Sequence, residues 1–325
     1  MKIVVLDGYT LNPGDLSWKG IKKMGEVEIY ERTPAAKILE RAQGAEILLT
    51  NKTPLSRKTI EALPELEYIG VLATGYDVVD TAAAAENEVI VTNVPTYGTN
   101  TVAQFVLALI LETAHHVGEH NRAVKNGVWS EADDFCFWDY PLMELQGKIL
   151  GIIGFGSIGQ RTAELALAFG MEVIVYDRSP EKKIEDPEIE TEKIEFVDLL
   201  HLYSTSDVIS LHCPLTERTE GIINKASIAQ MKEGVIIINT ARGAVIDEQA
   251  LIKHLQNGHL GGAGLDVFEF EPRISEELLE MKNVVLAPHI GTANYETRKA
   301  MAEEAASNIK YFFEGHQPPN LVNPE

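Results

Sequence analysis

Short apolar runs, each bounded by turn residues, alternate with helix-period segments along most of this chain, and that alternation leaves few folds open to it. Five runs occupy the first hundred residues: KIVVLDG, VEIYER, AEILLTN, EYIGVLATG and VIVTNVP. Six follow: KILGIIG, EVIVYD, DVISLHC, GVIIINT, GAGLDV and NVVLAPH. Strands that alternate with helices are the pattern of parallel βαβ units. Between the runs, segments such as AAKILERAQG carry apolar residues three and four apart and close on glycine, as helices do. At 325 residues the chain is long for one core, and its 45% hydrophobic residues are enough to fill two. Residues 101–127 read as one long helix whose first half is apolar nearly all round. Such a helix is buried in its own chain or covered by another subunit. The expectation is a homodimer through the helix beginning near Thr101.

GKILGIIGFGSIGQ places Gly154, Gly156 and Gly159 as G-x-G-x-x-G between an apolar strand and the helical RTAELALAFG. Alone the pattern is weak, because glycine-rich turns are common. Its context is specific. Asp177 ends the next strand, EVIVYD, 18 residues past Gly159. Glycines there let the backbone approach a pyrophosphate at a helix N-terminus, while the acid accepts hydrogen bonds from a ribose. A carboxylate would repel a 2′-phosphate, so NAD is the expected cofactor; Arg178 and Ser179 directly after it keep NADP as the alternative. The expected fold class is therefore α/β, with a Rossmann dinucleotide-binding domain (residues 99–291) inserted in a flavodoxin-like substrate domain made of residues 1–98 and 292–325. Both domains are doubly wound parallel sheets.

Three ionisable residues follow late strands: Arg242 after GVIIINTA, Glu271 after GAGLDVFEF and His289 after NVVLAP. In an open parallel sheet the carboxyl ends of the strands lie along the ligand crevice, so these three should converge although 29 and 18 residues separate them. Hydride transfer to a carbonyl needs a proton donor, and histidine titrates near neutrality. A carboxylate beside it would orient the ring and favour the charged form, the role expected of Glu271. The planar fork of Arg242 can grip a substrate carboxylate as lysine cannot.

The segments GIIGFGSIGQ, DVISLHCPLTERTEGIINKASIAQMKEGVIIINTARGAVIDEQAL, GLDVFEFEP and VVLAPHIGTA resemble the D-isomer-specific 2-hydroxyacid dehydrogenases, over essentially the whole chain. Within that family GVLATGYDVVD, NVPTYGTNTVAQFVLALIL and DFCFWDYPLMELQGK are similar to the glycerate dehydrogenase (hydroxypyruvate reductase) branch. The resemblance implies that Arg242, Glu271 and His289 are the catalytic residues. It implies that backbone N–H groups of Ala73, Thr74 and Gly75 also meet the substrate carboxylate. Around the cofactor it places Phe155, Gly156, Ser157 and Ile158 at the pyrophosphate, Cys213 and Pro214 on the adenosine side, Thr240 and Ala241 at the nicotinamide ribose, and Asp266 at the carboxamide. Thr219 and Gly291 are counted with them. The chain departs from the family after Glu271, where PRISEELLEMKN stands in place of a second proline and a Pro-Leu pair. No appended regulatory domain is expected.

The implied activity is NAD-dependent interconversion of D-glycerate and hydroxypyruvate, with glyoxylate reduced to glycolate. The alternatives are a D-lactate-type or broad 2-ketoacid reductase and a dinucleotide-sensing binding protein. With 28 Lys+Arg against 49 Asp+Glu the formal charge is −21, which repels nucleic acid and anionic membrane. Cys136 and Cys213 match neither a disulfide framework nor a zinc spacing, the chain opens directly on a strand-like run, and no apolar span is long enough for a membrane helix. A cytoplasmic protein is expected. His116 and His120 lie four apart, a chelating spacing on a helix, but no third ligand is near and no metal is expected. Trp138 reads as core packing or, by analogy with related dimers, as a residue reaching a neighbouring subunit's pocket.

Overall fold

The computed structural model describes residues 1–185 and 193–323. The chain divides into two compact units, one formed by Met1–Gly98 with Thr292–Glu325, the other by Thr99–Gly291. Each is a doubly wound, wholly parallel sheet, which is the α/β class expected.

In the first unit β1 (Lys2–Val5), β2 (Glu26–Ile29), β3 (Ile47–Thr50), β4 (Tyr68–Val71) and β5 (Ile90–Thr92) run in the order β2-β1-β3-β4-β5. The strand order reverses between β1 and β3, where a doubly wound sheet opens its ligand crevice. Every residue of β3 and β4 is buried, as continuous apolar runs in a parallel sheet should be. The helix Tyr295–Phe313 packs Met301, Ala305 and Ile309 against Ile3, Val5 and Tyr68. Beyond that helix, the Asn323 side chain accepts from Val91 N (2.6 Å) and donates to Val89 O (2.8 Å), which ties the tail to β5.

In the second unit β6 (Ile149–Ile153), β7 (Glu172–Tyr176), β8 (Ile194–Phe196), β9 (Val208–Leu211), β10 (Val235–Asn239), β11 (Leu260–Leu265) and β12 (Val284–Leu286) run in the order β12-β11-β10-β9-β6-β7-β8. Six strands were expected here and seven are present. The addition, β8, is a three-residue edge strand that pairs with β7 through Val173 and Ile194. The order reverses between β6 and β9, so the glycine loop after β6 sits at the switch point.

The long helix expected over 101–127 is two helices, Thr99–His115 and Val117–Lys125. His116 between them is left-handed at φ +48°. The break has a local cause: the Glu112 carboxylate accepts the Gly118 N–H (2.9 and 3.2 Å), and the His116 ring stacks on Tyr140 at 4.5 Å. Val102, Val106, Leu109 and Ile110 of Thr99–His115 are buried, while Gln104 and Ala108 are exposed. Exposed apolar residues lie on the segment that follows. Among the described residues no helix is long and apolar enough to cross a membrane.

Candidate active site and cofactor loop

The three glycines after β6 have three different surroundings. Gly154 is left-handed at φ +95°, and a Cβ there would lie 2.8 Å from Cys213 N, so the loop leaves β6 pressed against the chain that leaves β9. At Gly159 a Cβ would stand 2.4 Å from Gly154 O, closing the helix onto the strand. Gly156 has ordinary backbone angles, and a Cβ on it would meet nothing within 4 Å. No protein atom demands that glycine. The open side of Gly156 gives a group outside the chain room to approach the backbone at the start of the helix Ser157–Ala168, whose first N–H groups have no intrahelical partner. Gly156 and Ser157 are exposed and Ile158 half-buried there.

Asp177 holds this loop from β7. Its Oδ2 accepts Phe155 N–H (2.8 Å) and its Oδ1 accepts Ser179 N–H (2.9 Å), which leaves further lone pairs for a ribose. The Phe155 ring is fully buried, edge-on to Phe196 at 5.5 Å, so only its backbone faces the loop. After β9, Cys213 is buried and its thiol is pushed up to about 11 by that burial, while Pro214 is exposed. The Thr219 hydroxyl donates to Pro214 O (2.5 Å) and accepts Thr216 N–H (2.8 Å), closing the loop 214–219 on itself.

The neighbouring strands β10, β11 and β12 end in the residues singled out from their sequence. At β10 the buried Asn239 stitches the turn: its Oδ1 accepts Ala241 N–H (3.0 Å) and its Nδ2 donates to Arg242 O (2.9 Å). Thr240 Oγ1 is buried without a hydrogen-bond partner, a state that a bound hydroxyl or amide would relieve. Arg242 Nη1 donates to Ala241 O (2.8 Å). Gly243 allows no side chain at all, because its Cβ would fall 1.9 Å from the Phe268 carbonyl. The turn bearing Arg242 therefore rests on the backbone of the segment that leads to Glu271.

At β11 and β12 the geometry is an oriented acid–imidazole pair. Glu271 Oε2 lies 2.9 Å from His289 Nδ1, and Glu271 Oε1 accepts Phe268 N–H (3.1 Å). The departure from the family pattern after Glu271 does not separate the two. His289 is left-handed at φ +56°, a conformation that costs a non-glycine residue and must be held by its surroundings. Asp266 holds it: its carboxylate accepts Ile290 N–H (2.7 Å) and Gly291 N–H (2.8 Å). Burial raises the Asp266 carboxyl above its ordinary range, and the two amides partly offset that. A Cβ at Gly291 would press on Asp266 Oδ2 at 3.0 Å, which explains that glycine.

Ala73, Thr74 and Gly75 belong to the first unit, at the carboxyl end of β4, with Thr74 Oγ1 donating to Val94 O (3.1 Å). His116, at the N-cap of the second helix, and His120, within it, both lie against the Tyr140 ring. Among the described residues no group of three or more His, Cys, Asp or Glu is placed to hold a metal ion. The reading from residues alone overlooked Asn239 and Gly243. Their signal was a polar residue closing an all-apolar strand and a glycine directly after the arginine.

Residues 107–291 match the family model of the D-isomer specific 2-hydroxyacid dehydrogenase, NAD binding domain. A hydroxypyruvate reductase of Blautia hydrogenotrophica is 50% identical, covering 99% of this chain and 100% of its own. A glycerate dehydrogenase of Methylorubrum extorquens is 37% identical over 99% and 98%. Among solved structures, an NADPH-dependent glyoxylate/hydroxypyruvate reductase from Sinorhizobium meliloti in complex with NADP and malonate superposes with a TM-score of 0.85 at 29% identity, covering 99% of this chain and 96% of that one.

Proposed function

The chain belongs to the D-isomer-specific 2-hydroxyacid dehydrogenases, and from that premise we propose that it reduces hydroxypyruvate to D-glycerate with NADH, and glyoxylate to glycolate, and runs the reverse oxidation. The observation that carries the reaction type is the Glu271–His289 pair, formed by the segments that follow the adjacent strands β11 and β12, beside the turn that bears Arg242. Similarity along the whole chain to a hydroxypyruvate reductase supports the substrate.

Bound NADH supplies the hydride to the substrate carbonyl carbon. His289 supplies the proton: with Nδ1 engaged by Glu271, Nε2 is the nitrogen that delivers it to the developing alkoxide. Glu271 fixes the orientation of the ring through Nδ1. Arg242 grips the carboxylate by its fork, and the N–H groups of Ala73, Thr74 and Gly75 are further donors to the same anion. Gly154, Gly156 and Gly159 with Ser157 and Ile158 cradle the pyrophosphate, and Asp177 takes the ribose hydroxyls. Thr240 and Ala241 serve the nicotinamide ribose, and Asp266 serves the carboxamide through its remaining lone pairs. Cys213, Pro214 and Thr219 border the adenosine, and Gly291 lets the chain close on Asp266.

The test is the rate of reduced-nicotinamide oxidation with hydroxypyruvate, glyoxylate and pyruvate, each with NADH and with NADPH. The expected result is that hydroxypyruvate with NADH gives the highest kcat/KM. Pyruvate ahead of hydroxypyruvate would replace this reading by a D-lactate-type reductase. Cofactor binding without turnover of any 2-oxo acid would replace it by a dinucleotide sensor.

A further inference from the structure

Two hydrogen bonds within the first unit fix the peptides that carry the Thr74 and Gly75 amides. Val94 N–H donates to Ala73 O (3.0 Å), and Asn93 Nδ2 donates to Thr74 O (2.7 Å). A trans peptide is planar, with its C=O and N–H pointing opposite ways. Holding the Ala73 carbonyl therefore aims the Thr74 N–H, and holding the Thr74 carbonyl aims the Gly75 N–H.

Asn93 is itself firmly seated. It is buried, its N–H donates to Asn320 O (3.2 Å), and its carbonyl accepts from Asn308 Nδ2 (3.0 Å). Asn308 is buried on the helix Tyr295–Phe313. Its Oδ1 accepts from Asn320 Nδ2 (3.1 Å), which also donates to Glu304 Oε1 (2.7 Å). A chain of polar side chains thus runs from the last helix and the tail to the loop after β4. Buried amide networks of this kind rigidify what they hold when every member is satisfied.

We infer that Asn93 is a positioning residue for the substrate: its side-chain amide, seated by Asn308 and Asn320, aims the Gly75 N–H at the substrate carboxylate. This rests on the reading above, in which the loop amides bind that anion. Donors fixed before the anion arrives need no reorganisation to meet it, so the effect belongs to substrate affinity more than to the proton or hydride step.

Asn93→Ala and Asn93→Asp test it. The bonds to Asn308 and Asn320 use the Asn93 backbone, so both variants keep them and remove only the donor to Thr74. Asn93→Asp keeps the shape but sets a carboxylate against a carbonyl. The expected result is a KM for hydroxypyruvate raised about tenfold, the size of one hydrogen bond, with kcat and the KM for NADH close to wild type and a small fall in the melting midpoint. Asn308→Leu, one link further away, should give a smaller rise with the same selectivity. An unchanged hydroxypyruvate KM overturns the inference, as does a rise in both KM values together with a lower melting midpoint. Gly75→Pro, which deletes the amide N–H, separates the two readings. If it leaves the hydroxypyruvate KM unchanged, the carboxylate reading itself fails; if it raises that KM and the Asn93 variants do not, only the positioning role fails.

Discussion

Gly243 sets the spacing of the site at the scale of one residue. Its missing side chain would overlap the backbone of Phe268 at 1.9 Å and of Glu269 at 2.4 Å, and neither can rotate away as a side chain could. Gly243→Ala must therefore push apart the turn with Arg242 and the segment that leads to Glu271. Overpacking of this kind costs about 1–3 kcal/mol, and a displacement of about 1 Å at reacting groups costs on the order of 100-fold in rate. The expected outcome is a lowered melting midpoint together with a kcat near one-hundredth of wild type. A variant with wild-type kinetics would show that this contact does not set the spacing. His289 and Arg242 should fail differently. Removing a general acid costs about 10²–10⁴ in turnover, so His289→Ala should lower kcat by that range while NADH affinity, read by nicotinamide fluorescence, stays unchanged. Arg242→Ala should chiefly raise the KM for the 2-oxo acid, because its fork holds the substrate in the ground state as well as the transition state.

At the scale of elements, the end of β9 carries a pH sensitivity of its own. Burial pushes the His212 imidazole down to about 4 from its ordinary 6.5, and its Nε2 lies 2.8 Å from Ser210 Oγ. The folded chain keeps this ring neutral where the unfolded chain protonates it. Between about pH 6.5 and pH 4 the unfolded state binds the extra proton, so stability falls as pH falls through that window, by up to about 3 kcal/mol at its lower end. Melting midpoints from pH 7 to pH 4.5 should drop more steeply for the wild type than for His212→Gln. The carboxylates titrate alike in both proteins, and parallel curves would remove His212 from the account. Elements also differed in how clearly they could be read. All eleven apolar runs are strands; β3, β4, β9 and β10 were the plainest, because a strand buried on both faces reads as a nearly continuous apolar run. The turn at Gly154, Gly156 and Gly159 between β6 and the helix Ser157–Ala168 was readable because it is built from residues close in sequence. Strand β8 escaped notice because three residues at a sheet edge, IEF, make no run. The break at His116 escaped because its causes, the Glu112 carboxylate reaching Gly118 and the ring of Tyr140, act through space. Asn93 and Asn239 stand beside a threonine at the ends of strand-like runs, and their hydrogen-bond partners reveal what they hold.

At the scale of the whole molecule, the break at His116 redirects the chain into a segment whose apolar residues have little of their own unit to cover them. The helix Val117–Lys125 buries none of its residues, and Phe135 and Trp138 are 90% and 66% exposed, with Val117, Trp129 and Leu142 also exposed. The segment is nonetheless ordered by its own contacts. Trp129 Nε1 donates to Phe135 O (2.9 Å), and Tyr140 lies against both His116 and His120. A formal charge of −21 makes copies of this chain repel one another, so self-association needs an apolar patch strong enough to offset it. Large side chains left bare in water, each worth about 1.5–3 kcal/mol when buried, supply one. The homodimer reading accordingly moves from the helix beginning near Thr101 to residues 117–142. Light scattering on the wild type should give twice the mass of one chain, and Phe135→Asp with Trp138→Asp should give the mass of one, with the Glu271–His289 pair left intact in its own sheet. A wild type that scatters as a single chain would refute the dimer. A double variant that stays dimeric would move the interface off this segment.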